Sequence, residues 1–419
     1  MNAVRTLTLA LTLAFTAQAQ ADYLPDPKAA EAALWASSGV AQARGEFAAQ
    51  TLKSQGLQRG REEWMVGADI AQRRIQTTPR DTQPEWGVAL SRPLRLPARA
   101  AADRALAGAL TAHAEANLGE ALHESGRQLL MLWFAWLGEA SQAQVWQAQL
   151  ELAEQQLAAV NARIRLGEAP RAERVNAEAA LAQVRLQQQQ SAARAQQARS
   201  RLLAQYPSLA VEADGNLPSP TAPSGSAEAY VDAVLAHNHE LARARRQAEV
   251  LQAEARQLAK RRSVDPSVGV FYKNEVGGNE HVVGLNLGLT LPGAARRYDQ
   301  EATAQLSATA QDAARLLEQR LRQEARADFE SAGAQAVSWQ QAERAAQALE
   351  ESARLAARAY SLGEGSLDQV LVTRRLALDG RVQAQQTQVA ALAAAARLKL
   401  DAHQLWPLDV DTDDAHAHP

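Results

Sequence analysis

Apolar positions along this chain switch between two periods. From Trp64 to Ile75 they alternate: Trp64, Val66, Ala68 and Ile70 stand between Met65, Gly67, Asp69 and Ala71, which predicts a strand. Residues 86–96 alternate again, after a segment 76–85 whose Pro79, Asp81 and Pro84 read as a loop. In the second half, residues 267–274 put Val268, Val270 and Tyr272 on one face. Val276-Gly277-Gly278-Asn279 reads as a short hairpin loop rather than a ligand cradle, and 282–291 is the cleanest strand of the four. Everything between is helical in pattern: 27–60, 98–165, 171–205, 227–262, 294–361 and 366–405. The stretch 98–165 contains no proline. As one helix it would reach roughly 100 Å at about 1.5 Å per residue, longer than any compact domain needs.

The same marks occur twice. Leu166-Gly167-Glu168-Ala169-Pro170 ends the first long helix, with Gly167 suited to a left-handed cap and Pro170 to the start of the next helix. Leu362-Gly363-Glu364-Gly365 ends the second, 196 residues later. The Leu-Pro pairs that close the strand regions, Leu96-Pro97 and Leu291-Pro292, are 195 residues apart. The expected organisation is therefore a repeat. Residues 22–205 and 227–408 would each supply helix, strand, strand, long helix and return helix, joined by a Pro/Ser/Gly-rich linker at 206–226. A polar tail follows at 409–419.

Strand runs of about nine to eleven residues match a tilted membrane-spanning strand. Four strands cannot close a barrel, and lipid tolerates no open edge, so several copies would have to share one. Trp64 and Trp86, at the expected strand starts, fit an interfacial aromatic girdle. The rival is a soluble four-stranded sheet with tryptophan in its core.

Composition narrows this further. The chain has 419 residues, a net charge of −3 and no cysteine. There is no basic field to attract nucleic acid. Disulfides, thiolate metal sites, cysteine nucleophiles and a cysteinyl lipid anchor are excluded. Residues 1–21 read as a secretory signal: Arg5, an apolar run 7–17, then Ala17-Gln18-Ala19 and Ala19-Gln20-Ala21 as cleavage sites. No later run is long and apolar enough for a transmembrane helix, so any membrane entry is through strands.

Candidate chemistry is sparse. No nucleophile, phosphate-loop or metalloprotease motif occurs, so the reading is of a non-enzyme without cofactors. His237 and His239, two apart on an expected continuous helix, do not share a face. His403, near a helix end, reads as a C-terminal cap or a partner of the helix dipole. His416 and His418, with Asp411, Asp413 and Asp414, offer weak divalent-ion ligands on a solvated tail. Trp133, Phe134, Trp136 and Trp146 read as packing anchors.

The order of these parts resembles the TolC family of outer-membrane channel proteins. The resemblance rests on Leu90-x-x-Pro93-Leu94, on Leu287-x-Leu289-x-Leu291-Pro292 and on the hairpin tips at Gly167 and Gly363. Asn238-His239-Glu240-Leu241 is similar to the family's usual Asn-Pro-Glu-Leu. It implies a mainly α fold with a membrane β-barrel: a homotrimer with a shared 12-stranded barrel, four strands per subunit, in the outer membrane of a Gram-negative bacterium. Long helices would form a periplasmic tunnel, the two unbroken ones pairing with shorter helices stacked end to end. Helices 171–205 with 227–262, and 27–60 with 366–405, have fitting lengths. The tips, Leu166, Gly167 and Glu168 with Leu362, Gly363, Glu364 and Ser366, would dock a periplasmic adaptor protein linked to an inner-membrane pump. Glu168 and Glu364 would equally favour the helix starts that follow them.

Within the family, 360–366, Arg374-Arg375 and 400–407 look most like the CzcC type, which implies export of divalent heavy-metal ions. Related channels that carry organic compounds are the alternative, and a periplasmic adaptor a more distant one. Family members often carry acidic residues six and nine positions after the tip glycine. Here those positions hold Gln369 and Val372, with Asp368 one place early, so Asp368 and Gln369 are the candidates for the periplasmic entrance.

Overall fold

The computed structural model describes residues 23–408 except 61, 77, 213–216 and 407. The expected signal at 1–21 and the tail carrying Asp411, Asp413, Asp414, His416 and His418 lie outside the described residues. In chain order the elements are α1 (Pro27–Trp35), α2 (Ser38–Arg59), β1 (Met65–Ile75), β2 (Asp81–Pro93), α3 (Pro97–Arg165) and α4 (Arg171–Gln205). They continue with α5 (Ala227–His237), α6 (His239–Arg261), β3 (Asp265–Glu275), β4 (Glu280–Thr290), α7 (Ala295–Ser361) and α8 (Leu367–Asp401). The same order of elements occurs in both halves.

The long helices are unbroken, 69 residues for α3 and 67 for α7, while α4 and α8 are 35 each. Each leading helix, expected as one piece, is in two. The break before Ser38 leaves helical conformation at Ser37. The break in the second half falls at Asn238, whose side chain accepts the Leu241 N–H at 2.7 Å and so caps α6. Asp26 caps α1 in the same way, accepting Ala29 N–H at 2.9 Å.

The four strands form one antiparallel sheet in the order β1-β2-β3-β4. All four strands differ from the sequence reading at one or both ends, β1, β3 and β4 by one or two residues and β2 by more. β2 begins at Asp81, so the second half of the expected loop 76–85 is strand. Pro84 is tolerated there because it pairs with Gln72 of β1 but lies beyond the pairing with β3, which starts at Trp86. β2 also stops at Pro93. Leu94 still donates its N–H to the Pro266 carbonyl at 2.8 Å, and Pro97 opens α3.

Arginines fasten sheet to helices. Arg95 donates to the Leu57 and Gln58 carbonyls at 2.9 and 2.7 Å and to Asp103 at 2.7 Å, tying the orphan end of α2 to α3. Arg99 and Arg296 serve the end of α6 likewise, through the carbonyls of Ser263 and Arg261, and both pair with Asp265.

The largest apolar core sits at the waist of the helical body. Leu118, Leu122, Leu129, Trp133, Phe134 and Trp136 of α3 meet α1, Leu202 and Tyr206 at the end of α4, and Leu400, Trp406 and Leu408 at the end of α8. Trp133, Phe134 and Trp136 are thus the packing anchors expected of them.

The end-to-end stacking is not the pairing expected. Tyr206, closing α4, donates to the Ser125 carbonyl at 2.9 Å, and Ser125 Oγ donates to Ser37 Oγ at 3.0 Å, so α4 ends at the α1–α2 break. α8 ends at the α5–α6 break, where the His403 ring meets His237 and His239. Each return helix therefore stacks on the leading helix of its own half.

Candidate functional site

The sheet register sorts side chains onto two chemically different faces. Val66, Ala68 and Ile70 of β1 align with Leu90, Val88 and Trp86 of β2. Those continue through Val270 and Tyr272 of β3 to Leu285 and Val283 of β4. This face is apolar and open: Ile70 is 90% exposed and Leu287 81%. The opposite face carries Gly67, Asp69, Gly87, Ala89, Ser91, Gly269, Asn286 and Gly288. Its glycines leave room for neighbours. A Cβ on Gly87 would stand 2.7 Å from an Asp69 carboxylate oxygen, and the Phe271 ring lies over Gly284. At the loop end Arg73 donates to Glu85 at 2.5 Å and to Glu275 at 3.1 Å. The outer edges of β1 and β4 have no strand partner within the described chain. Trp64 precedes β1, with Arg92 over its ring at 5.4 Å. Trp86, expected at a strand start, stands within β2 opposite Ile70, at a different height, so the two do not form one girdle.

At the far end of the long helices the two hairpins close with the same cap. Gly167 takes φ 78° and Gly363 φ 84°. Gly167 N–H reaches Ile164 O and Glu168 N–H reaches Arg163 O. Gly363 reaches Tyr360 O and Glu364 reaches Ala359 O in the same pattern. Leu166, Glu168, Leu362, Glu364 and Ser366 are exposed, and Ser366 also caps α8 by accepting Gln369 N–H at 3.3 Å.

Contacts between the hairpins join Tyr360 and Asp368, both singled out in the sequence, to Arg163, Glu173 and Asn176, which were not. The Tyr360 hydroxyl donates to Glu173 at 2.5 Å, and the Arg163 guanidinium lies 4.4 Å from the Tyr360 ring centre. Burial, then the Glu173 hydrogen bond, pushes the Tyr360 hydroxyl up to about 12, so it stays a donor. Asn176 donates to Asp368 at 3.2 Å. Beneath these, Val160, Ala177, Leu367 and Val370 form a small apolar core. Further up, a groove between α3, α4 and α8 is lined by Val184, Leu371, Arg374 and the half-buried Trp146, expected instead to be a packing anchor.

At the waist, four of the eight histidines gather. The Asn238 break turns His237 and His239 toward one place, contrary to the expectation from a continuous helix. His403 occupies the left-handed position after α8 with φ 55°, so its backbone is the helix cap foreseen. His123, 4% exposed, lies 3.4 Å from Asp401, which is itself buried and bound by Arg127 at 3.0 Å and Arg397 at 3.4 Å. Burial first, then the charge of Arg127, pushes the His123 imidazole down to about 3, so it is neutral. Among the described residues no three His, Asp or Glu donors converge as a metal site, and no helix is long and apolar enough to cross a membrane.

No protein-family model and no curated protein matches the sequence. Solved structures do match. The outer-membrane channel OprN superposes with a TM-score of 0.74 at 16% identity, covering 91% of this chain and 90% of that one. The Campylobacter jejuni CmeC outer membrane channel gives 0.70 at 12% identity over 99% and 96%. The outer membrane protein VceC from Vibrio cholerae gives 0.70 at 16% over 92% and 100%. The fold is that of an outer-membrane channel. In this channel fold the expected tip residues from both hairpins come together at one end, with Asp368 and Gln369 exposed just above them.

Proposed function

We propose that this chain is the outer-membrane component of a tripartite efflux system, a passive exit duct without chemistry of its own. The observation that carries this reading is the sheet, with its exposed apolar face, its glycine-rich and polar face and its two open edges. A bilayer tolerates no open edge, so three copies with four strands each would close a 12-stranded barrel. The likeness in fold to the outer-membrane channels supports the same assembly. Helices of about 100 Å would carry the duct through the periplasm of a Gram-negative bacterium.

In this reading the division is 22–205, linker 206–226 and 227–408, a duplicated unit. The tips at 166–170 and 362–366 are hinges and docking sites for a periplasmic adaptor, which couples the duct to an inner-membrane pump. Opening separates Tyr360 from Glu173 and Asn176 from Asp368, and Asp368 and Gln369 border the entrance. The cargo is divalent heavy-metal ions, on the resemblance of 360–366 and 400–407 to the CzcC type; organic compounds are the alternative.

The test is conductance of the purified protein in a planar bilayer, with its mass in detergent. Discrete channel events from a trimer are expected; a water-soluble monomer without conductance overturns the duct. Deleting the gene should lower tolerance of zinc, cobalt or cadmium. Loss of tolerance to organic compounds alone would reassign the cargo.

A further inference from the structure

The apolar face of the sheet ends differently at its two rims. Toward the helices, Leu289 and Leu291 stay exposed at the end of β4. Arg92 lies two residues from Leu90 on that same face, with its guanidinium against the exposed Trp64 ring. Arg297 stacks on the exposed Tyr298 in the same way, 5.2 Å from its ring centre. The segments where sheet meets helices, 59–63, 92–104, 256–265 and 294–301, hold twelve Lys or Arg against six Asp or Glu, in a chain whose net charge is −3. The loop rim, 72–85 and 273–282, is balanced at four against four. Positive charge is therefore gathered at the helix-side rim and not at the other.

We propose that this basic collar is a docking surface for anionic phospholipid: its exposed cations bind headgroup phosphates while the acyl chains cover the apolar face beside them. The inference rests on the duct reading, which puts lipid against that face.

Part of the collar is already engaged. Arg95 pairs with Asp103, and Arg99 and Arg296 share Asp265. Arg59, Arg104, Lys260, Arg261 and Arg262 are exposed, and among the described residues no carboxylate pairs with any of them. Arg262 donates instead to the Gln300 amide oxygen at 3.1 Å. Burial, then the charges of Arg296 and Arg261, hold the Arg99 guanidinium below its ordinary value, as crowded positive charge does. Such an excess repels itself unless a counter-charge arrives. The adjoining apolar surface selects what brings that charge. An amphiphile satisfies both parts at once, whereas a soluble polyanion would leave Leu289 and Leu291 bare. Tryptophan and tyrosine with a cation on the ring suit the level where headgroups meet chains. A zwitterionic headgroup carries its own cation and leaves the excess in place, so the fitting headgroup is anionic. Guanidinium suits its phosphate because it can donate two parallel hydrogen bonds.

The test uses the full-length protein purified in detergent and mixed with equal amounts of phosphatidylglycerol and phosphatidylcholine. Native mass spectrometry counts each lipid retained on the trimer, and bilayer conductance is recorded in phosphatidylcholine alone. Preferential retention of phosphatidylglycerol, by about tenfold, is expected. Lys260→Gln, Arg261→Gln and Arg262→Gln together should bring the two lipids to about even, while trimer and conductance persist. Arg74→Gln with Arg80→Gln, at the loop rim, should leave the preference intact. Excess inorganic phosphate should not displace the lipid. If the triple variant does not assemble, Arg59→Gln with Arg104→Gln carries the same expectation; failure of both to assemble assigns the collar to contacts between copies and overturns the proposal. A conducting trimer that retains both lipids equally overturns the collar and leaves the duct standing. So does an undiminished preference in the triple variant, a preference lost only at the loop rim, or full displacement by phosphate. A protein with neither trimer nor conductance overturns the duct, and the collar with it.

Discussion

His123 shows how a single buried group makes the fold sensitive to acid. The residues facing it are Arg127 on its own helix, Arg397 and Asp401 on α8, and His239 and His403. Asp401 is shared with the two arginines, so its charge does not hold a proton on His123. With a folded value of about 3, below the ordinary 6.5, the unfolded chain takes up the proton first as pH falls. The contribution to stability is complete above 6.5 and is lost as pH drops toward 3. Between pH 7.5 and 5 the protein should lose about 2 kcal/mol from this residue, at about 1.4 kcal/mol per pH unit below 6.5. Thermal melts at both pH values should show a shallower dependence in His123→Gln. An unchanged slope would mean that His123 titrates normally. None of this was legible from sequence, because an isolated histidine at 123 gives no hint that two helix ends 114 and 280 residues further on will enclose it.

Elements were more legible. The bounds of α4 match the sequence reading residue for residue, and those of α3 and α7 within one, because Pro97, Pro170 and the tip glycines are strong local punctuation. The breaks at 36–37 and 238 carry no Pro or Gly, and Asn238 reads as helix interior until its side chain is seen to cap α6. α7 explains why so many alanines are present. Its buried positions include Ser307, Ala314, Leu321, Ala325, Ala332, Ala336, Ala346, Ala353 and Tyr360, a narrow stripe with mostly seven- and four-residue steps. Such a stripe lets neighbours approach closely along one seam.

The hairpin tips are elements in their own right, and Gly363 tests them. A Cβ there would meet nothing within 4 Å, so Gly363→Val has space, yet φ 84° is strongly unfavourable for a β-branched residue. The expected result is a re-formed tip at a cost of about 1–2 kcal/mol, with little change in global Tm and loss of adaptor capture. Gly363→Asn should be milder. Full adaptor binding and efflux in the valine variant would remove the docking role from this tip.

At the scale of the molecule, strand alternation in the sequence anticipated the sheet's two faces, since a period of two leaves little freedom once one face is apolar. The strand ends were missed by a few residues because Pro84 reads as a breaker unless the local lack of a β3 partner is known. Leu287 and Asn286, adjacent on β4, point to opposite faces. In the duct reading Leu287→Lys puts a charge into lipid, at about 2–4 kcal/mol near the bilayer middle. It should reduce heat-resistant trimer in outer-membrane fractions. Asn286→Lys should assemble and alter conductance instead. Equal assembly of both would argue against lipid on the Leu287 face.

The open edges of β1 and β4 bear on how the molecule comes into being. One chain alone exposes an apolar sheet with two unsatisfied rims, an invitation to aggregation. If neighbouring copies supply the missing strands, folding of this part is a reaction of higher than first order. Its apparent stability then depends on how many chains are present, and a newly made chain needs an escort until its partners arrive.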